Sequence, residues 1–244
     1  MAGVPCPVEV MEQVMSRMGA REITIGFGLT EAAPIKTLTN PEDTLERRVT
    51  TVGRPLPNVE VRIVDPESGQ ELPADCQGEL WSRSFKNMKG YYNLAEATAE
   101  TLDSEGWLHS GDLAAMDEDG YCKIAGRLKD MIIRGGENIY PREIEDFFYA
   151  NPEIAEVQVI GAPDAKFGKE VMAWIILKPG MTATEEEMKE FSRGKIAYYK
   201  IPRYIKFVTE FPMTITGKVQ KFRMREIAVA EQVKQGNRLL SQGD

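Results

Sequence analysis

GRLKDMIIRGGENIYPREIE, running from Gly126 to Glu145, is where the pattern of the chain changes. An Arg-Leu-Lys-Asp turn leads into a β-rich run, Met131-Ile132-Ile133. A Gly135-Gly136 bend follows, and Pro141 opens an acidic helix whose apolar stripe is Ile144, Phe147 and Phe148. Upstream, from about residue 35 to residue 125, short alternating runs are separated by turns. Val59 to Val64 alternates at period two, and Pro66-Glu67-Ser68-Gly69 reads as a turn. Gly78-Glu79-Leu80-Trp81 begins another strand, and Asp117-Glu118-Asp119-Gly120 is a tight turn before Tyr121 to Ile124. This stretch predicts a small β-barrel or a twisted antiparallel sheet.

Downstream, strands and helices alternate. Val157–Ile160, Val171–Leu177 and Tyr204–Val208 read as strands. Glu185–Ile196 and Phe222 to about Lys234 read as helices, and the last ten residues are expected to fray. At the other end, Val8, Met11, Val14, Met15 and Met18 form a helical stripe behind Pro5 and Pro7, ended by Gly19. Glu22–Ile25 reads as a short strand opening into the loop Gly26-Phe27-Gly28-Leu29-Thr30-Glu31. The expected fold class is α/β of the α+β kind. Residues 1–128 would form a β-rich unit with a helix-strand start, and residues 129–244 a small α+β unit.

Composition narrows the function. Thirty basic residues against 38 acidic ones leave a net charge of −8, which argues against a nucleic-acid surface. Three scattered cysteines without a C-x-x-C pair fit a reducing compartment. The single histidine, His109, excludes a His-cluster metal site. The longest apolar run, Val171 to Leu177, is too short to span a bilayer. The amino terminus has neither signal-peptide nor transit-peptide character.

The chemistry sits in four signals. Ser110-Gly111-Asp112 places a carboxylate where it can accept from vicinal hydroxyls; alone, such an Asp would cap a turn. Arg127 follows fifteen residues later with a guanidinium suited to a ribose and a phosphate together. Thr30 and Glu31 close a glycine-flanked loop that offers a hydroxyl to a phosphate and a carboxylate to a hard cation. Near the end, Thr214-Ile215-Thr216-Gly217-Lys218 presents a lysine at the tip of a flexible turn. His109 reads as local structure, and Trp81 and Trp107 as core.

Over roughly Val4 to Ala230 these signals together resemble the adenylate-forming superfamily of acyl-CoA synthetases, luciferases and peptide-synthetase adenylation domains. Wording such as PREIED, GAPDAKFGKE, YYKIPRYIKFV and TGKVQKFRMRE is similar to the medium-chain fatty acyl-CoA synthetase branch. The resemblance implies that Asp112 and Arg127 hold the ribose and α-phosphate of ATP, and that Thr30 contacts the α-phosphate. It further implies that Glu31 binds Mg2+ and that Lys218 is the catalytic cation of adenylation. Lys129 would be a hinge, and Gly135, Gly136 and Glu137 would line the path of CoA. Apolar Met213 beside the lysine loop is similar to the acyl-CoA branch, while Phe27 stands where a tyrosine is usual. The partners implied are a fatty acid, ATP and CoA. The compartment implied is the mitochondrial matrix, with the cytoplasm as alternative. No glycine-rich phosphate loop occurs in the sequence, so the chain resembles a carboxy-terminal portion of such an enzyme. Two other readings remain: a non-catalytic nucleotide- or partner-binding fragment, and an adenylating enzyme that does not use CoA.

Overall fold

The computed structural model describes residues 8–20, 22–215 and 217–240. The chain divides into two units at Leu128/Lys129. In the first, α1 (Val8–Met18) is followed by β1 (Gly26–Gly28), β2 (Ile35–Leu38), α2 (Leu45–Thr50) and β3 (Arg54–Pro55). Strands β1, β2 and β3 make a small antiparallel sheet. The strand expected at Glu22–Ile25 is not formed. Ile23 and Ile25 instead bury against Met11 of α1, and the glycine-flanked segment expected as a loop is β1. Glycine at 28 is what permits that pairing, because a Cβ there would lie 1.7 Å from the Pro34 carbonyl oxygen. Pro5 and Pro7 lie outside the described residues.

Next come β4 (Glu60–Val64), β5 (Gly78–Arg83), α3 (Ala95–Thr101), β6 (Leu108–Met116) and β7 (Cys122–Arg127). The four strands form one antiparallel sheet in sequence order. Among the described residues it is not closed into a barrel, so the twisted-sheet alternative holds. Ile63, Leu80, Ala114 and Cys122 make its buried core, and burial pushes the Cys122 thiol up to about 12. The Asp117 turn is as read: its Oδ1 accepts the Tyr121 N–H at 2.8 Å, closing the β6–β7 hairpin.

In the second unit, β8 (Ile132–Arg134) and β9 (Glu137–Ile139) form a hairpin, so the Gly135-Gly136 bend joins two strands. Then follow α4 (Pro141–Tyr149), β10 (Ile154–Asp164), β11 (Gly168–Leu177), α5 (Glu185–Ser192), β12 (Tyr204–Phe207) and α6 (Lys221–Leu240). Strand β11 pairs antiparallel with β10 and parallel with β12. Alternation along β11 separates two cores. Val171, Ala173 and Ile175 face Ile144 and Phe148 of α4 and Met188 of α5, while Met172 and Trp174 face Met224 and Ala228 of α6. A capping box between Thr184 and Glu187 starts α5. That helix stops at Ser192, short of the expected Ile196, because Arg193 turns to extended backbone. Helix α6 runs past the expected Lys234 to Leu240, through residues expected to fray. It is tied down by Lys221, whose ammonium lies 2.6 Å from the buried Glu145 of α4.

Candidate functional site

Asp112 lies inside β6 and sits directly opposite Arg127, the last residue of β7. Arg127 donates from Nε to Asp112 Oδ1 at 3.1 Å; the carboxylate is buried, the arginine side chain 70% exposed. Irregularities flank the pair on both sides. Toward β5, Glu79 pairs with Leu113 and Trp81 with His109, so Leu80 alone faces Ser110, Gly111 and Asp112. Toward β7, the register slips between Leu113 and Ala114. Bulges of this kind re-aim a side chain out of the regular alternation. Gly111 adopts φ +68° within the wider one. The Asp112 N–H donates to Ser110 Oγ at 3.0 Å, and the Gly111 N–H to Glu79 Oε1 at 2.8 Å.

His109 stacks on Trp81, with ring centroids 3.7 Å apart, and its Nε2 is 3.6 Å from Asp103 Oδ2. Arg62 is sandwiched between Trp81 and Trp107, at 4.8 and 4.0 Å from their ring centroids. His109, Trp81 and Trp107 thus belong to a layered stack beside the bulge.

Thr30 and Glu31 form a single 3-10 turn, Thr30–Ala32, with Thr30 exposed. Glu31 is held by the segment after β5: its carbonyl accepts the Met88 N–H at 2.7 Å, and its Oε1 accepts the Tyr91 hydroxyl at 2.7 Å. That bond to a carboxylate is the main reason the Tyr91 phenol is raised above its ordinary value. Lys36 of β2 is fully buried and anchors the same segment, donating to Ser84 Oγ at 2.8 Å and to Asn87 Oδ1. Desolvation, with Lys86 adding, lowers its ammonium to about 8.

In the second unit, Lys218 sits in a tight loop between Met213 and Val219, which bridge. The Lys218 N–H donates to Thr214 Oγ1 at 3.0 Å, and the Thr214 N–H to the Lys218 carbonyl at 2.8 Å. Its backbone is fixed while its side chain is exposed and has no ion-pair partner among the described residues. Lys129 is exposed in the turn Leu128–Asp130, and Asp130 is paired with Arg225 at 3.0 Å. Gly135 and Gly136 take φ +58° and +94° at the β8–β9 tip, with Glu137 exposed at the start of β9. A Cβ at Gly135 would lie 3.1 Å from the Phe167 ring. Beside this hairpin is a cavity of about 600 Å³ whose lining includes Arg134, Glu170, Arg193, Tyr198 and Arg203. Arg134 forks onto buried Glu170 at 2.7 and 2.9 Å.

Sequence reading missed Glu79, Tyr91, Lys36 and the Arg134–Glu170 pair. Only Glu79 had a local signal, an acidic residue in a strand otherwise bound for the core.

Two family models match the chain: AMP-binding enzyme over residues 1–92 and AMP-binding enzyme C-terminal domain over residues 143–218. The chain belongs to the AMP-binding enzyme family. A putative acyl-CoA synthetase of Bacillus subtilis, YngI, is 56% identical over 93% of this chain and 41% of its own length. The mitochondrial medium-chain acyl-CoA ligase ACSF2 of Danio rerio is 48% identical over 92% of this chain and 37% of its own. Among solved structures, ATP-bound MatB from Rhodopseudomonas palustris superposes with a TM-score of 0.85 at 34% identity, covering 93% of this chain and 44% of that one. The chain therefore spans about two fifths of the length of the curated relatives it matches. No helix among its described residues is long and apolar enough to cross a membrane.

Proposed function

We propose that this chain supplies the ribose-binding sheet and the catalytic-lysine unit of a fatty acid–CoA ligase acting on medium-chain acids. The observation that carries this reading is the buried Asp112 carboxylate, set between two bulges and paired with an exposed arginine. A carboxylate so placed accepts from the 2′- and 3′-hydroxyls of a nucleoside, and Arg127 is free on its solvent side to reach the α-phosphate. Residues 1–128 form the end of the large nucleotide-binding domain, and residues 129–244 the small carboxy-terminal domain.

In the first half-reaction a carboxylate oxygen of the fatty acid attacks the α-phosphorus of ATP and pyrophosphate leaves. Lys218, fixed through its backbone and without an ion-pair partner among the described residues, neutralises the negative charge shared by the carboxylate and α-phosphate. Thr30 donates its hydroxyl to the phosphate. Glu31 fits a magnesium ion that draws most of its ligands from phosphate and water, because Tyr91 occupies only Oε1 and leaves Oε2 available. Bound there, the ion would offset triphosphate charge. In the second half-reaction the CoA sulfur, losing its proton, attacks the acyl carbonyl and AMP leaves. Gly135, Gly136 and Glu137 line the pantetheine path, and the cationic cavity beside them, with Arg203 58% exposed, accepts phosphates of CoA. Lys129 is the hinge between two poses, one presenting Lys218 for adenylation and the other presenting Gly135, Gly136 and Glu137 for thioester formation. The greater identity to the bacterial relative favours the cytoplasm over the mitochondrial matrix.

The test is paired, in the protein that carries this chain joined to the remainder of a relative's length. Lys218→Ala should cut pyrophosphate exchange by roughly two orders of magnitude or more, as for other lost electrostatic stabilisers. It should spare acyl transfer from a supplied acyl-adenylate. Lys129→Pro, by fixing φ at the pivot, should do the reverse. Equal loss of both steps in both variants refutes the two-pose assignment. The isolated chain, lacking a phosphate loop, should release no AMP from octanoate, ATP and CoA; robust turnover would refute that part.

A further inference from the structure

Glu79 is buried in the sheet, belongs to no site assigned above, and faces no cation among its hydrogen-bond partners. Burying a carboxylate is costly unless strong donors meet it. Here two do. Its Oε1 accepts the Gly111 N–H at 2.8 Å, and its Oε2 accepts the Trp81 indole N–H at 2.8 Å. Trp81 is itself clamped between the His109 ring and the Arg62 guanidinium. The carboxylate is therefore held from the strand-β5 side by a residue that has little room to move.

We propose that Glu79 is a positioning residue for nucleotide binding: it fixes the Ser110-Gly111-Asp112 bulge and so aims the Asp112 carboxylate. The physical need is plain. Three residues of β6 face the single residue Leu80, so the backbone N–H groups of the bulge point away from the regular ladder. An N–H left unpaired inside a sheet is costly, and two of the three here end on side chains: Gly111 on Glu79, Asp112 on Ser110. Gly111 at φ +68° has open space where a Cβ would be, so side-chain packing does not hold its peptide there. Glu79 is what does. Because Asp112 follows the anchored peptide directly, a loosened Gly111 N–H turns the carboxylate away from the ribose. Gln at this position is nearly isosteric, yet its NH2 group would meet one of two N–H donors, so one anchor is lost without a cavity.

This inference rests on the ribose reading of Asp112, and the experiment separates the two. Calorimetric titrations with AMP and with 2′,3′-dideoxy-AMP are compared for the chain as it stands and for Glu79→Gln. The unaltered chain should prefer AMP by roughly tenfold or more, the range for hydrogen bonds to a charged group. In Glu79→Gln that preference should fall to within about threefold of unity, while affinity for the dideoxy compound stays nearly constant. A merely structural role would weaken both nucleotides alike and keep their ratio, and that result overturns the proposal. Absence of any preference in the unaltered chain overturns the ribose reading itself. The ratio is a property of the folded fraction alone. If Glu79→Gln yields no folded protein, Trp81→Phe carries the test, since it frees Oε2 while keeping an aromatic ring against His109. There the preference should drop by about half or more on a logarithmic scale; an unchanged ratio again overturns the proposal.

Discussion

In the chain with Asp112→Ala, two separate quantities change, and the structure sets the size of each. The first is stability. One lost partner is Arg127, whose side chain is 70% exposed, so solvent screens that pair and its removal contributes at most ~1 kcal/mol. Loss of a buried, partly desolvated carboxylate offsets some of that. The second is nucleotide affinity. Two ribose hydroxyls would donate to Asp112, and removing its carboxylate costs at least one charge-assisted hydrogen bond, about 1.5–3 kcal/mol. That is roughly a 10- to 150-fold rise in the dissociation constant for AMP. Isothermal titration gives the affinity and urea unfolding the stability on the same preparation. Unchanged AMP affinity in a variant whose unfolding midpoint is near that of the parent would refute the ribose assignment. A large fall in stability with a proportionate fall in binding would refute the reasoning in another way, by showing that Asp112 acts on the sheet.

Three further outcomes follow from the same geometry. Gly111→Ala should lower stability by about 1–2 kcal/mol through backbone strain alone, because φ is +68° and an added Cβ meets nothing within 4 Å; the shift in urea midpoint measures it. Lys221→Met should cost about 3 kcal/mol or more by leaving Glu145 buried without its cation, and Glu145→Gln in the same chain should recover part of that loss. Lys36 has its ammonium pushed from 10.5 down to about 8, so across that window the folded chain holds a neutral amine where the unfolded chain holds a charged one. Folding then releases a proton, and stability should rise with pH through the window by on the order of 3 kcal/mol and be flat below it. The difference between parent and Lys36→Met, followed by denaturant unfolding against pH, isolates this; no rise in the difference would refute it.

The sequence by itself determined the features whose cause is local. The alternating run at β4, the apolar run at β11, the Asp117 turn and the Pro141 helix start each depend on residues close together in the chain, and each element is formed where it was read. The motifs around Asp112, Arg127, Thr30-Glu31 and Lys218 stood out because their residue types suit phosphate and ribose chemistry; of these the fold sets Asp112 against Arg127. What depended on distant partners was not legible. Ile23 and Ile25 look like a strand, but burial against α1 satisfied them better than pairing, so the strand moved on to Gly26–Gly28. An open sheet and a barrel share the same alternation, and only which edges meet distinguishes them. The Asp112–Arg127 pairing, the doubled bulge and the Glu79 anchor require that β5, β6 and β7 lie side by side in one register. Register is a cross-strand property, fixed by hydrogen bonds between residues such as Glu79 and Gly111, 32 positions apart in the chain. For the same reason Tyr91 and Lys36 showed no signal. Their function lies in the partners they meet, Glu31 and the Ser84–Asn87 segment, and those meetings exist only in the folded chain.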